Sequence, residues 1–237
     1  MRGEPTQLGS IFLLSQLSYH LSSYKRVSES SHLSSSRTVQ RGRLRIIGGE
    51  WKRRQIRFSG GSDLRPTPDS VRETLFNWLS PYLHQAKCLD LFAGSGALGL
   101  EAASRGAGNV VLVEMHKHCC GRLKDNVALL GAKQVMIHCA DALDWMTSCE
   151  EQFDIVFVDP PYDTDLVKRS LNRLIRYRLL RPEAQIYIEC SAQEAPTISE
   201  DWAVLRQKKA GQVCFGLYQH VANSDGNGKT QTLRDLL

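Results

Sequence analysis

The stretch Cys88-Leu89-Asp90-Leu91-Phe92-Ala93-Gly94-Ser95-Gly96-Ala97-Leu98-Gly99 decides the fold. An apolar run ends at a G-x-G-x-x-G turn and opens into a helical pattern. Glycines in such a turn let a cofactor approach the backbone and let the next helix pack closely on the sheet. Downstream, apolar runs at 110–113, 135–138, 153–158 and 186–188 read as further buried strands. Helical patterns at about 97–105, 116–130, 142–149 and 164–180 separate them. This alternation predicts an α/β fold with a doubly wound, mostly parallel sheet. Residues 202–206 and 213–218 follow one another through Gly211 without a helix, so they predict an antiparallel hairpin on the sheet edge, seven strands in all.

Upstream of the glycine turn, 43–47 and 55–58 read as a small hairpin joined through Gly48-Gly49. It carries a basic block. Between Arg37 and Arg57, eight Lys or Arg residues stand against the single acid Glu50, a local balance of +7 in a chain whose total is +5. The remainder is therefore slightly acidic, and a concentrated basic block suits a phosphate backbone. Arg43, Arg45, Lys52, Arg53 and Arg54 are its candidate RNA contacts. After Gly60-Gly61 comes Arg65-Pro66-Thr67-Pro68-Asp69, where Thr67 can cap a helix, Pro68 suits its first position, and Asp69 and Glu73 favour its positive end. Val71, Leu75, Trp78 and Leu79 give that helix one apolar face.

The chain therefore divides into a serine-rich leader at 1–42, the basic hairpin at 43–62, a catalytic domain at 63–221 and a polar tail at 222–237. The leader lacks the sustained apolar face needed to offset ordering entropy. Its few acids, several arginines and many serines leave organelle targeting open beside a cytoplasmic location. With 42% hydrophobic and 23% charged residues the composition is that of a globular protein. No run approaches the length of a membrane span. The seven cysteines include no C-x-x-C pair, which suggests neither a zinc ribbon nor a disulfide framework. His116, His118, Cys119 and Cys120 begin a helical pattern and point different ways, so no metal is expected.

Four groups of residues carry chemistry. Glu114 lies twenty residues past Gly94 at the end of the second strand, where a carboxylate can accept both hydroxyls of a ribose. These two features alone also fit a nicotinamide enzyme. Asp159-Pro160-Pro161-Tyr162, directly after the strand at 153–158, separates the alternatives, because ligands bind outside the carboxyl ends of such strands. An exocyclic base amine has its lone pair delocalised into the ring. The Asp159 carboxylate and the Pro160 carbonyl can hold its two protons, the prolines keep both acceptors rigid, and Tyr162 can stack on a base drawn out of its helix. Asp141, after the third strand, can receive an adenine amino group, with the Ala142 N–H opposite the ring; an ordinary helix cap is the competing account. Arg169, Arg173 and Arg176 recur at i, i+4 and i+7 as a basic stripe that either reaches phosphates or is a solvated face.

The chain resembles the bacterial RsmD family, the guanine-N2 methyltransferases of small-subunit ribosomal RNA. The residues that carry the resemblance are Arg45-Ile46-Ile47-Gly48-Gly49 with Trp51, Leu64-Arg65-Pro66-Thr67 through Leu79, Asp90 to Glu101, Val156 to Tyr162 and Ala210-Gly211-Gln212-Val213. The resemblance implies a Rossmann-like methyltransferase fold, S-adenosylmethionine as methyl donor, and a guanine of 16S rRNA in an assembled or assembling small subunit. It further implies that the Thr67 to Phe76 stretch closes over the donor and that Asp90, Phe92, Gly94, Gly96, Glu114, Asp141 and Ala142 line its site. A monomer is expected. Adenine N6 or cytosine N4 as target, and, from other classes, a nicotinamide-dependent oxidoreductase or a non-catalytic assembly factor, are the alternatives.

Overall fold

The computed structural model describes residues 40–60, 67–161, 164–192, 197–221 and 231–232. Arg65 and Tyr162, two of the candidate site residues, lie outside them, as do most of the leader and tail. In chain order the strands are β1 (Gln40–Arg45), β2 (Gln55–Gly60), β3 (Lys87–Asp90), β4 (Asn109–Glu114), β5 (Val135–Cys139), β6 (Phe153–Val158), β7 (Leu180–Ser191), β8 (Thr197–Ile198), β9 (Trp202–Ala210), β10 (Val213–His220) and β11 (Gln231–Thr232). The helices are α1 (Asp69–Leu79), α2 (Ala97–Ser104), α3 (Lys117–Leu130), α4 (Ala142–Met146) and α5 (Thr164–Arg176).

Seven strands form the main sheet in the order β5-β4-β3-β6-β7-β10-β9. β3 to β7 run parallel, and β10 is antiparallel to both β7 and β9. This is the Rossmann-like α/β arrangement. Apolar side chains on the two faces of the sheet form two cores, one built on Leu75, Phe76, Val110, Leu112 and Phe157, the other on Leu89, Val111, Val156, Val158 and Ile186. The strand order reverses between β3 and β6, the switch point where ligands bind in open α/β sheets.

Three local readings change. β7 begins at Leu180, where the spacing extends a helix, because Arg178 turns left-handed at φ 55° and ends α5. β1 begins at Gln40, three residues ahead of the sequence reading. Thr67 is not a cap: Pro68 is the N-cap residue of α1 and no side-chain cap bond forms.

The basic hairpin shares the first core. Ile46, Trp51 and Ile56 are buried in it. Glu101, fully buried on α2, accepts the backbone N–H groups of Ile47 at 2.8 Å and Gly48 at 2.7 Å. Asn126 on α3 accepts from the Arg57 N–H at 3.0 Å and donates to its carbonyl at 2.8 Å. Gly49 has φ 76°, and a Cβ there would stand 1.8 Å from the Ser104 carbonyl oxygen. Only glycine allows the loop to approach α2 this closely.

Candidate active site

The glycine turn leaves β3 with positive φ at Gly94 (49°) and Gly96 (80°). Gly99 then meets the sheet side chains so closely that a Cβ would lie 2.2 Å from Leu112. Asp90 is buried, and its carboxylate accepts the Gly99 N–H at 3.0 Å. Burial pushes its carboxyl up to about 7, Glu114 adds to the rise, and backbone hydrogen bonds from Gly99 and Phe92 oppose it. Asp90 thus ties the turn to the helix that follows.

Glu114 ends β4 beside the turn. Its Oε2 accepts the Gly94 N–H at 2.9 Å and its Oε1 accepts the His116 N–H at 2.7 Å. The His116 ring Nδ1 also lies 2.9 Å from Oε1. These bonds hold the carboxylate at the strand end, where its remaining lone pairs can receive hydroxyl groups. His116 is a site residue the sequence reading missed, because a histidine starting a helical pattern carries no signal of the backward contact it makes. Phe92 is half-buried on the rim. Phe76 lies fully inside the core, 6.0 Å from the Phe157 ring and beneath the Arg105 guanidinium. The structure does not bring Phe76 to an open surface, since its ring is packed among the residues of the first core.

Asp141 is a helix cap. Its Oδ1 accepts from the backbone N–H groups of Leu143 at 2.8 Å and Asp144 at 3.1 Å. Both bonds fall on one oxygen of an exposed side chain, so the cap does not exclude a ligand at the other. Ala142 is buried beneath it.

Asp159 follows β6. Register pairs Asp90 with Phe157 across β3 and β6. Asp159 lies just past the end of this paired strand, near enough to Asp90 for the two carboxyls to act on each other. Pro160 is buried and Pro161 exposed. The Thr67 hydroxyl lies 3.4 Å from Asp159 Oδ2, which explains why it does not cap α1. A second carboxylate, Glu189 of β7, occupies the next strand over. Register pairs Val158 with Ile188, so Asp159 and Glu189 are level. The Tyr187 hydroxyl donates to Glu189 Oε2 at 2.6 Å, and the Thr67 hydroxyl, which donates to Asp159, is also near enough to Glu189 to act on its carboxyl. Burial raises the Asp159 carboxyl well above the carboxylate range, and the neighbouring Glu189 and Asp90 raise it further. Burial also raises Glu189, against which Tyr187 and Thr67 act. Tyr187 and Glu189 were missed too. A polar residue two places from another in a buried strand is the available signal, but nothing local says that it faces Asp159.

Of the basic candidates, Arg43, Lys52 and Arg53 are exposed on the hairpin. Arg45 pairs with Asp69 at 2.8 Å and Arg54 donates to the Leu129 carbonyl at 2.6 Å. Arg169 pairs with Asp165 one turn away. The stripe on α5 is broken at Arg173, whose guanidinium donates to the Leu143 carbonyl and staples α5 to α4. It is a structural contact, because the half-buried head is turned toward α4. A groove of about 390 Å³ runs between the hairpin and α1, lined by Arg43, Arg45, Thr67 and Arg72 among others.

The sheet order, the turn between β3 and α2 and the acidic rim together define the Rossmann-like fold of the S-adenosylmethionine-dependent methyltransferases. An RNA methyltransferase from Salinibacter ruber, solved in complex with S-adenosyl-L-homocysteine, shares this fold at 14% identity and a TM-score of 0.56, over 69% of the present chain and 98% of that chain. The chain belongs to the family described as "Conserved hypothetical protein 95", whose model matches residues 44–219. It is 42% identical over 187 residues to "Ribosomal RNA small subunit methyltransferase D" of Escherichia coli strain K12, covering 78% of this chain and 94% of that relative. The solved structure of yhhF from Escherichia coli superposes with a TM-score of 0.70 at 43% identity, over 77% of this chain and all of the other.

Proposed function

We propose that the protein transfers a methyl group from S-adenosylmethionine to the exocyclic N2 of one guanine in small-subunit (16S) ribosomal RNA. The observation that supports the reading is that Asp159 follows β6, the strand paired with β3 at the switch point, close enough to Asp90 at the start of the glycine turn for their carboxyls to interact. The donor set fits the group. Glu114, fixed by Gly94 and His116, presents lone pairs to ribose hydroxyls, and Asp141 and Ala142 flank the place for the adenine. When bound, S-adenosylmethionine supplies an electrophilic methyl on a sulfonium sulfur.

The chain's own residues prepare the amine. Asp159 and the Pro160 carbonyl accept its two N–H bonds, which lets the nitrogen lone pair face the notch, and rigid prolines reduce the entropy lost in reaching that geometry. Tyr162 is assigned to stack on the base and so offset part of the few kcal/mol needed to unstack it. Arg43, Arg45, Lys52, Arg53 and Arg54, with Arg65 and Arg169, are assigned to phosphates of the rRNA in an assembled or assembling subunit. Arg173 is left out of that set, because the Leu143 carbonyl holds it.

The test is mass-spectrometric mapping of ribosomal RNA from cells lacking the protein. One N2-methylguanine should be missing, restored by the wild-type chain and not by Asp159→Ala. Loss of an N6-methyladenine or N4-methylcytosine instead would overturn the base assignment, and an unchanged RNA would overturn the reaction.

A further inference from the structure

At the amine corner, the glycine turn, Asp159 and Glu189 lie in line across three neighbouring strands, β3, β6 and β7. A base whose amine sits between the turn and Asp159 must extend its ring away from the methyl donor, toward β7. Glu189 is therefore placed beside the ring atom next to the amine. It is 9% exposed, and its carboxylate is held by the Tyr187 hydroxyl at 2.6 Å. Tyr187 is itself completely buried, so the pair is built rather than incidental.

Two buried carboxylates that face each other from level positions on neighbouring strands do not both stay ionised. The Tyr187 hydroxyl donates to Glu189 across a short 2.6 Å, whereas the donor to Asp159, the Thr67 hydroxyl, is a long 3.4 Å away. The negative charge of the pair accordingly resides on Glu189, a pure acceptor. The atom next to the amine differs among the bases. On the Watson–Crick edge it is N1 in guanine, which carries a hydrogen, whereas in adenine it is N1 and in cytosine N3, each bearing a lone pair.

We propose that Glu189 selects guanine, by accepting its N1–H while Asp159 and the Pro160 carbonyl hold the N2 amine. An adenine or cytosine in the same place would set a lone pair against the carboxylate. This inference rests on the guanine-N2 reading above and names the residue that enforces it. It assigns Tyr187 as a positioning residue that acts through Glu189.

The experiment compares small-subunit RNA carrying guanine at the mapped position with the same RNA carrying 2-aminopurine. 2-Aminopurine keeps the 2-amino group and replaces N1–H by a lone pair. Wild-type enzyme should favour guanine by at least about 100-fold in kcat/KM, in line with the penalty for leaving a buried hydrogen-bonding site unmatched. Glu189→Gln, whose amide can donate, should lower kcat/KM on guanine by about 10-fold or more and leave or raise that on 2-aminopurine, so that the preference narrows. Tyr187→Phe, which keeps the packing, should narrow it in the same direction by a smaller factor. Unchanged S-adenosylmethionine affinity by calorimetry verifies that both variants are folded. Equal losses on both RNAs, or an undiminished preference in Glu189→Gln, would overturn the inference and leave guanine-N2 methylation standing. If mapping finds an adenine or cytosine as target, the inference and the reading beneath it fall together.

Discussion

Gly94 donates its backbone N–H to Glu114 Oε2 across 2.9 Å, so the glycine turn and the end of the neighbouring strand are joined directly. Glu114→Gln replaces a charge-assisted acceptor with a neutral one at a position also held by His116. S-adenosylmethionine affinity measured by calorimetry should fall by about 10- to 100-fold, the scale of roughly 1.5–3 kcal/mol for a hydrogen bond to a charged group. An unchanged affinity would remove Glu114 from the donor site.

Asp159→Ala should separate chemistry from donor binding. Turnover on undermethylated subunits is expected to drop by at least about 100-fold, the scale of losing a positioned proton acceptor. Donor affinity should stay within about twofold, because the loss falls on a transition-state interaction. A variant that methylates normally would show that the assigned acceptor is wrong.

The raised carboxyls make stability depend on pH with a definite sign. Asp159 and Asp90 hold protons more tightly in the folded protein than in the unfolded chain, Asp90 up to about 7. From about pH 4, the ordinary aspartate range, the unfolded chain loses these protons first. Folding stability from these groups is therefore full below that range and declines as pH rises through the folded values. Asp159→Asn should remove its share of the decline. Its melting temperature minus that of the wild type should grow between pH 4 and 7 and reach a few degrees, about 2–4 °C for each 1 kcal/mol in a chain of this size. A difference that stays flat or shrinks with pH would contradict the assignment.

Glu101 is the internal anchor of the basic hairpin. It is fully buried and meets Arg105 at 2.7 Å and Arg72 at 3.6 Å besides two backbone N–H groups. Glu101→Ala leaves the Ile47 and Gly48 N–H groups without their acceptor, at about 1–3 kcal/mol for each donor left unsatisfied, while the 1%-exposed Arg72 keeps Asp69 at 2.5 Å. Urea melts should register that loss. If they do not, the hairpin is held by its apolar residues instead.

Hairpin cations should act through phosphates. Replacing Arg43, Lys52 and Arg53 together by Ala should weaken RNA binding at all sequences and make the slope of log K against log salt shallower by about two to three. Donor affinity should not change. An unaltered salt slope would locate the RNA elsewhere.

Much of this molecule was legible as periodicity. The strands at β3, β4 and β6 and the helices between them follow from buried apolar runs and 3.6-residue spacing, and the placement of Asp159 follows from its position after β6. The end of α5 was not legible, because Tyr177 and Arg178 carry no breaking residue type. The left-handed turn at Arg178 places Leu179 in the core, where the Leu174 carbonyl accepts its N–H at 2.9 Å. The fate of Arg173 was equally hidden. Its spacing on α5 is that of a surface stripe, and only the packing of α4 against α5 turns it inward.

The sequence by itself determined the kind of fold, the glycine turn and the acid-proline-proline segment, since these depend on local backbone chemistry and on which residues are apolar. What the tertiary structure decided was who faces whom. Thr67, Asp159, Tyr187 and Glu189 come from three separate segments: strand register across β6 and β7 brings Asp159 level with Glu189, and the chain entering α1 adds Thr67. Register is set by the packing of whole sheet faces, a property of the assembled core that no single stretch of residues contains.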